Sequence, residues 1–152
     1  MKKRSPTICP IVFSLDAFGD TWSLVILRDI LLFNKSHFRE FLGSKEKIAS
    51  NILSARLESL VENGLLTKEA DTANKSAAIY RPTQKALELL PMVIAMMQWG
   101  AKYNPDTNRD SGPVMRTLLT DPEGLRRRII ERFPEVPTSH SAVGAPDVGE
   151  AA

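Results

Sequence analysis

The chain has 152 residues, 43% hydrophobic and 25% charged, which is one domain's worth of length with enough apolar material for a core that needs no metal or disulfide staple. A formal net charge of +2 permits a polyanionic partner without demanding one, and the single cysteine, Cys9, excludes an internal disulfide framework and fits a reducing compartment. No apolar run approaches the ~18 residues of a membrane span, and the basic opening Met1-Lys2-Lys3-Arg4 is followed by Cys9-Pro10, Ser14 and Asp16 rather than an unbroken apolar stretch; neither an anchor nor a leader is expected, and the expected location is the cytoplasm.

In chain order, residues 1–8 read as a basic arm, 9–103 as the folded body, 104–139 as a linker with an accessory C-terminal helix, and 140–152 as a disordered tail whose few apolar side chains do not offset ordering entropy. Pro10 opens a first helix carrying Ile11, Val12, Leu15 and Phe18, and Gly19 stops it. Asp20 or Thr21 caps a second helix whose apolar residues, from Trp22 and Leu24 through Ile30, Leu31 and Leu32, lie nearly all round, the pattern of a central core helix. A short helix is predicted over 38–42. The next helix, over 49–63, places Leu53, Leu57 and Leu60 on one stripe; Asn51, Ala55, Glu58 and Glu62 fall opposite, with Ser54 beside them. Gly64 ends it, and two strands over 65–69 and 78–81 follow, joined by the polar turn 71–76.

Thr83 caps a long helix predicted to run to residue 103. Leu87, Leu90, Ile94, Met97 and Ala101 make one stripe; Ala86, Leu89, Val93, Met96 and Gly100 make another. Pro91 is expected to kink it, with Met92, Met96 and Met97 filling the irregular space or lining an adaptable pocket. Two adjoining apolar faces exceed the needs of one small core. A two-fold interface built from Leu90, Ile94 and Met97 with Ile11 and Leu15 of the first helix is therefore expected. Trp22 and Trp99 read as core or interface anchors. Beyond Asn104, Asp121-Pro122-Glu123 starts a helix with an apolar stripe of Leu125, Ile129, Ile130 and Phe133. The run Arg126-Arg127-Arg128 is read as a solvated face or as extra backbone contact.

A short helix, a tight turn, a longer amphipathic helix and a β-hairpin, in that order, describe a winged helix–turn–helix: mainly α with a small β-hairpin wing, and dimeric by the argument above. In that architecture the second helix of the pair enters the major groove of double-stranded DNA and the hairpin touches the backbone. Asn51 suits bidentate pairing with adenine, Ser50 and Ser54 can donate or accept, and Ala55 can meet a thymine methyl. Lys35, Lys45, Lys47, Lys68, Lys75 and Arg81 surround the helix in sequence as candidate phosphate contacts. Glu58 and Glu62 oppose this reading, and the alternative is a winged-helix module that binds protein instead of DNA.

The segments Cys9-Pro10, Phe18-Gly19-Asp20-Thr21-Trp22-Ser23-Leu24-Val25-Ile26-Leu27-Arg28-Asp29, Phe38-Arg39-Glu40-Phe41, Ile48-Ala49-Ser50-Asn51-Ile52-Leu53-Ser54-Ala55-Arg56-Leu57 and Leu60-Val61-Glu62-Asn63-Gly64-Leu65, then Leu89-Leu90-Pro91 and Gln98-Trp99-Gly100, resemble in order the motifs of HxlR-type regulators of the MarR-like group. Two departures stand out. Tyr80-Arg81-Pro82-Thr83-Gln84-Lys85-Ala86 replaces the leucine and glycine of Tyr-x-Leu-Thr-x-x-Gly, and Ser50 stands where long or basic side chains are common. The resemblance implies a homodimeric transcription regulator, most simply a repressor on a pseudo-palindromic operator, open to a small-molecule or electrophile effector. It also implies a sensor role for a cysteine at the Cys9-Pro10 step. Read from the residues alone, Cys9 is either a thiol whose charged form the helix dipole favours or a small buried packing residue.

Other chemistry is not indicated. His37, His140 and Cys9 have no metal-site spacing, and no phosphate loop, nucleophile elbow or carboxylate pair is present, so neither catalysis nor a cofactor is expected. His37 reads as a phosphate neighbour or a plain surface residue. Arg28-Asp29 and Arg56 read as a structural ion pair.

Overall fold

The computed structural model describes residues 8–108, 112–134 and 136. Helix α1 (Pro10–Phe18) starts on proline, whose fixed φ suits a first helical position, and stops at Gly19. Asp20 then turns the chain: its carboxylate accepts from the backbone N–H of Trp22 and Ser23, both at 3.1 Å, and opens α2 (Thr21–Phe33) at 78° to α1. Asn34 closes α2 in the left-handed region. The short α3 (Phe38–Leu42) and longer α4 (Ser50–Glu62) follow, then antiparallel strands β1 (Leu66–Ala70) and β2 (Ala78–Pro82), with Leu66 opposite Pro82 and Ala70 opposite Ala78. The remainder is α5 (Gln84–Leu87), α6 (Leu90–Tyr103), a 3-10 turn at Pro105–Asn108, α7 (Pro113–Thr120) and α8 (Pro122–Glu131).

Helix α2 is the shared wall of two apolar clusters, as its all-round pattern requires. One face, Ile26, Leu27 and Ile30, meets Phe41 of α3, the Leu53–Leu57–Leu60 stripe of α4, and Leu66 and Tyr80 of the hairpin. The other, Leu31 and Leu32, meets Leu87, Leu90, Val93 and Ile94, over which Leu118 of α7 and Leu125 and Ile129 of α8 are laid. Each fully buried leucine of this kind stabilises by roughly 1.5–3 kcal/mol relative to exposure.

Three expectations are corrected. Pro91 does not kink a long helix; the chain breaks at Glu88 and Leu89, and the proline sits in the first turn of α6, where its missing N–H costs nothing. Leu90 and Ile94 do not face a partner: they are 0% and 6% exposed, inside the second cluster. And α7, within a stretch read as linker, is a helix that helps bury them. The tail 140–152, like residues 1–7, falls outside the described residues.

Gly64 ends the α4 turn at φ +69, and a Cβ there would meet nothing within 4 Å. Substitution therefore costs backbone strain alone. Gly64→Ala is expected to lower stability by about 1–2 kcal/mol in chemical denaturation.

Candidate nucleic-acid interface

The α3–α4 pair is held by a buried carboxylate. Asp29 of α2, 1% exposed, accepts on Oδ1 from Arg28 Nε (3.0 Å) and Nη2 (2.6 Å), and on Oδ2 from Lys35 Nζ (2.7 Å) and from the Ser44 hydroxyl. Arg28 reaches on to Glu46, so the α3–α4 turn is tied to α2 at two points. Burial pushes the Arg28 guanidinium down, but hydrogen bonding to Glu46 and the adjacent Asp29 outweigh it and raise its pKa. In return the Arg28 bond holds Glu46 below the ordinary carboxylate range.

With Leu53, Leu57 and Leu60 fully buried on this scaffold, the opposite face of α4 is presented outward. Ser50, Asn51, Ser54 and Ala55 are all exposed, as are Glu58 and Glu62 at its far end. Arg56, at the flank, lies 3.2 Å from Asp20 Oδ1 and so steadies the cap of α2, pairing with Asp20 and not with Asp29.

The wing is fixed to the start of α3. Tyr80 N–H donates to Ser36 O (2.8 Å), His37 bridges to Ile79, and His37 Nε2 lies 3.3 Å from Asp71 Oδ2 at the hairpin turn. His37 is thus a strut between helix and wing. Glu40 accepts from the N–H of Ser36 (2.7 Å) and His37 (2.8 Å); burial pushes its carboxyl up, but those N–H donors outweigh it and hold it low. Tyr80 is buried edge-on to Phe41, with Lys68 over its ring.

The predicted cations divide. Lys45 and Lys47 are exposed in the turn before α4, Lys75 is exposed at the hairpin tip, and Arg81 is exposed on the wing, 3.7 Å from Glu69. Lys35 is the exception: its ammonium is spent on Asp29 and on Ser44 (2.6 Å), so it belongs to the scaffold. Arg39, exposed on α3, was not among the expected cations; only the α3 surface pattern signals it.

The exposed apolar surface keeps the expected residues on α1 but not those on α6. Ile11 and Leu15 are 70% and 56% exposed, and α1 buries none of its residues. Exposed Phe13 accompanies them, and on α6 the exposed apolar residues are Met96, Trp99 and Tyr103, the last two with ring centroids 4.9 Å apart and planes tilted by 44°; Met97 is half-buried, in a groove against α2. Cys9 is exposed at the head of α1, which overturns the reading of it as a buried packing residue. Among the described residues no group of three or more His, Cys, Asp or Glu side chains could hold a metal, and no single helix is long and apolar enough to cross a membrane.

The comparisons agree with this geometry. The model of the HxlR-like helix-turn-helix family matches residues 17–108. An HTH-type transcriptional regulator of Mycobacterium tuberculosis is 32% identical over 103 residues, covering 68% of this chain and 62% of that protein. YdeP, an HTH-type transcriptional regulator of Bacillus subtilis, is 30% identical over 95 residues, covering 62% of this chain and 73% of its own. Among solved structures, PA1607, described as a transcription-factor candidate, superposes with a TM-score of 0.60 at 38% identity over 70% of this chain and 78% of that one. The oxidised form of the redox regulator HypR superposes with a TM-score of 0.54 at 26% identity, covering 68% of this chain and 100% of that one. The chain thus spans about 62% of the length of the mycobacterial relative, and the match lies over the α2–α6 body. A helix–turn–helix braced on a buried aspartate, a wing pinned to its first helix and a family match over the same residues lead to one conclusion: this chain has a winged helix–turn–helix fold and belongs to the HxlR-like helix-turn-helix family.

Proposed function

We propose that the protein is a cytoplasmic homodimer that binds a pseudo-palindromic DNA operator and represses transcription. The observation that carries the reading is the outward face of α4: small and polar side chains stand exposed on a helix whose other face is locked in the core, beside a wing bearing exposed cations. Asn51, Ser54, Ser50 and Ala55 read base edges, while Lys45, Lys47, Lys75 and Arg81 meet phosphates. Dimerisation is supported by α1, a nine-residue apolar helix without a buried residue, because isolated helices shorter than ~12–15 residues are marginal in water and need a partner.

Selection of bound sequences from a random duplex pool by the purified protein tests this, followed by affinity measurements on the selected site. Asn51→Ala is expected to lose about 1–3 kcal/mol at one base pair per half-site. Lys75→Ala is expected to weaken all sequences alike and flatten the salt dependence. If Asn51→Ala with Ser54→Ala leaves affinity unchanged, α4 is not the reader. The exposed carboxylates Glu58 and Glu62 favour a second reading, a protein-binding module, which predicts no retention on duplex DNA even at low salt.

An effector role is proposed for Cys9. Its exposure at the head of α1, in a chain similar to a regulator solved in oxidised and reduced forms, supports thiol sensing through the α1 interface. Oxidant treatment is expected to lower operator affinity of the wild type and leave Cys9→Ser unchanged.

A further inference from the structure

Where α8 ends, the chain turns back against the wing. Arg132, Phe133 and Val136 approach the face of the hairpin that carries Thr67, Glu69 and Arg81, opposite the buried Leu66, Tyr80 and Pro82. Between them lies a cleft of about 830 Å³, floored by the 82–85 segment that leads into α5. One wall comes from residues beyond the 17–108 span matched by the family model, so family membership does not supply this site.

We propose that the cleft binds a small organic acid, a carboxylate on an apolar or aromatic body. The volume falls within the roughly 300–1,000 Å³ of small-molecule sites. Three cations line it, Arg81, Lys85 and Arg132, against one acid, Glu69. Two are only loosely engaged: Arg81 stands 3.7 Å from Glu69, and the Arg132 guanidinium has no ion-pair or hydrogen-bond acceptor among the described residues. Lys85 donates to Asn63 O (2.8 Å) and keeps two further N–H donors. A guanidinium in a concave site suits a planar carboxylate, which accepts two parallel hydrogen bonds. Half-buried Phe133 and Val136 form the apolar wall that holds the body of the ligand.

The regulatory consequence rests on the DNA-binding reading. Arg81 is one of the wing cations assigned to phosphate, so a carboxylate that engages it from within the cleft competes with the DNA backbone. By linkage, such a ligand lowers operator affinity by the same factor by which DNA lowers its own.

The test is isothermal titration of the full chain, without DNA, by 3-phenylpropionate and by its neutral amide. Saturable binding of one 3-phenylpropionate per chain is expected, with the amide about tenfold weaker, as loss of one charge-assisted hydrogen bond implies. Arg132→Gln is expected to weaken the acid about tenfold, and Phe133→Ala to weaken acid and amide together, with thermal melts confirming that both variants fold. Absence of saturable 3-phenylpropionate binding, equal binding of acid and amide, or undiminished binding in Arg132→Gln overturns the site. Operator affinity with and without 3-phenylpropionate then reads the coupling. Loss of the response in Arg132→Gln, at unchanged basal affinity, is expected, and acid binding with no change in operator affinity overturns the regulatory step alone. Because the titration needs no DNA, failure of the DNA-binding reading leaves the result on the site intact.

Discussion

Asp29→Ala is expected to destabilise the protein by about 3–5 kcal/mol, the cost of leaving buried cations without their partner. The carboxylate is 1% exposed and receives Arg28, Lys35 and Ser44 together. Its removal leaves Lys35 without a carboxylate and Arg28 with Glu46 alone, each cation on a side chain a fifth to a quarter exposed. It also frees Ser44, and with it the turn that sets α3 against α4, so operator affinity should fall beyond what the lost stability alone explains. Chemical denaturation at neutral pH reads the first effect. Asp29→Asn, similar in shape but uncharged, should recover part of it. The Arg28–Glu46 contact adds a pH signature. Because the folded state holds Glu46 below its ordinary pKa of 4.5, the stability from that pair is present above this value and is lost as pH falls through the lowered one. Glu46→Gln should therefore flatten the acid limb of the stability curve. A wild-type loss of under 1 kcal/mol on Asp29→Ala would show the cluster to be dispensable.

The recognition pair and the wing are legible in the sequence because their signals are local. Leu53, Leu57 and Leu60 recur at helical spacing, Asp20 caps where a capping side chain belongs, and Gly64 stands where φ is positive. Boundaries for α1, α3 and α4 come within a residue on these grounds alone. What periodicity does not carry is which neighbour a stripe meets. Leu90 and Ile94 form an apolar stripe whether it faces a second subunit or α7 and α8 of the same chain, and only the long-range packing of Leu118, Leu125 and Ile129 decides. Lys35 has the same ambiguity in charge. Its place beside a turn suggests phosphate, yet a carboxylate six residues back, brought round by Asn34 in the left-handed region, takes it. Helix α7 was hidden for a different reason. Its eight residues are amphipathic, with Val114, Met115 and Leu118 turned to the second cluster, but so short a helix directly after a Pro/Asp/Asn-rich break reads as part of the linker.

The relocated dimer face gives the second large effect. Trp99→Glu is expected to convert the proposed dimer to a folded monomer and to lower operator affinity by roughly 10²- to 10⁴-fold, the advantage that linking two half-site contacts confers. The monomer should survive because Trp99 is 67% exposed and contributes little to its own subunit's core. Ile11→Glu on α1, at 70% exposure, should behave the same way if α1 and α6 share one interface. Leu90→Glu is the contrasting substitution. At 0% exposure it buries an unpaired charge in the second cluster, so it should unfold the subunit before any question of assembly arises. Light scattering and thermal melts on the three variants separate these outcomes. Trp99→Glu and Ile11→Glu as melting-competent monomers, beside a Leu90→Glu that does not fold, place the two-fold axis against the exposed faces of α1 and α6. A Trp99→Glu protein that stays dimeric with wild-type affinity removes that interface, and with it the structural argument that two copies of α4 read one operator.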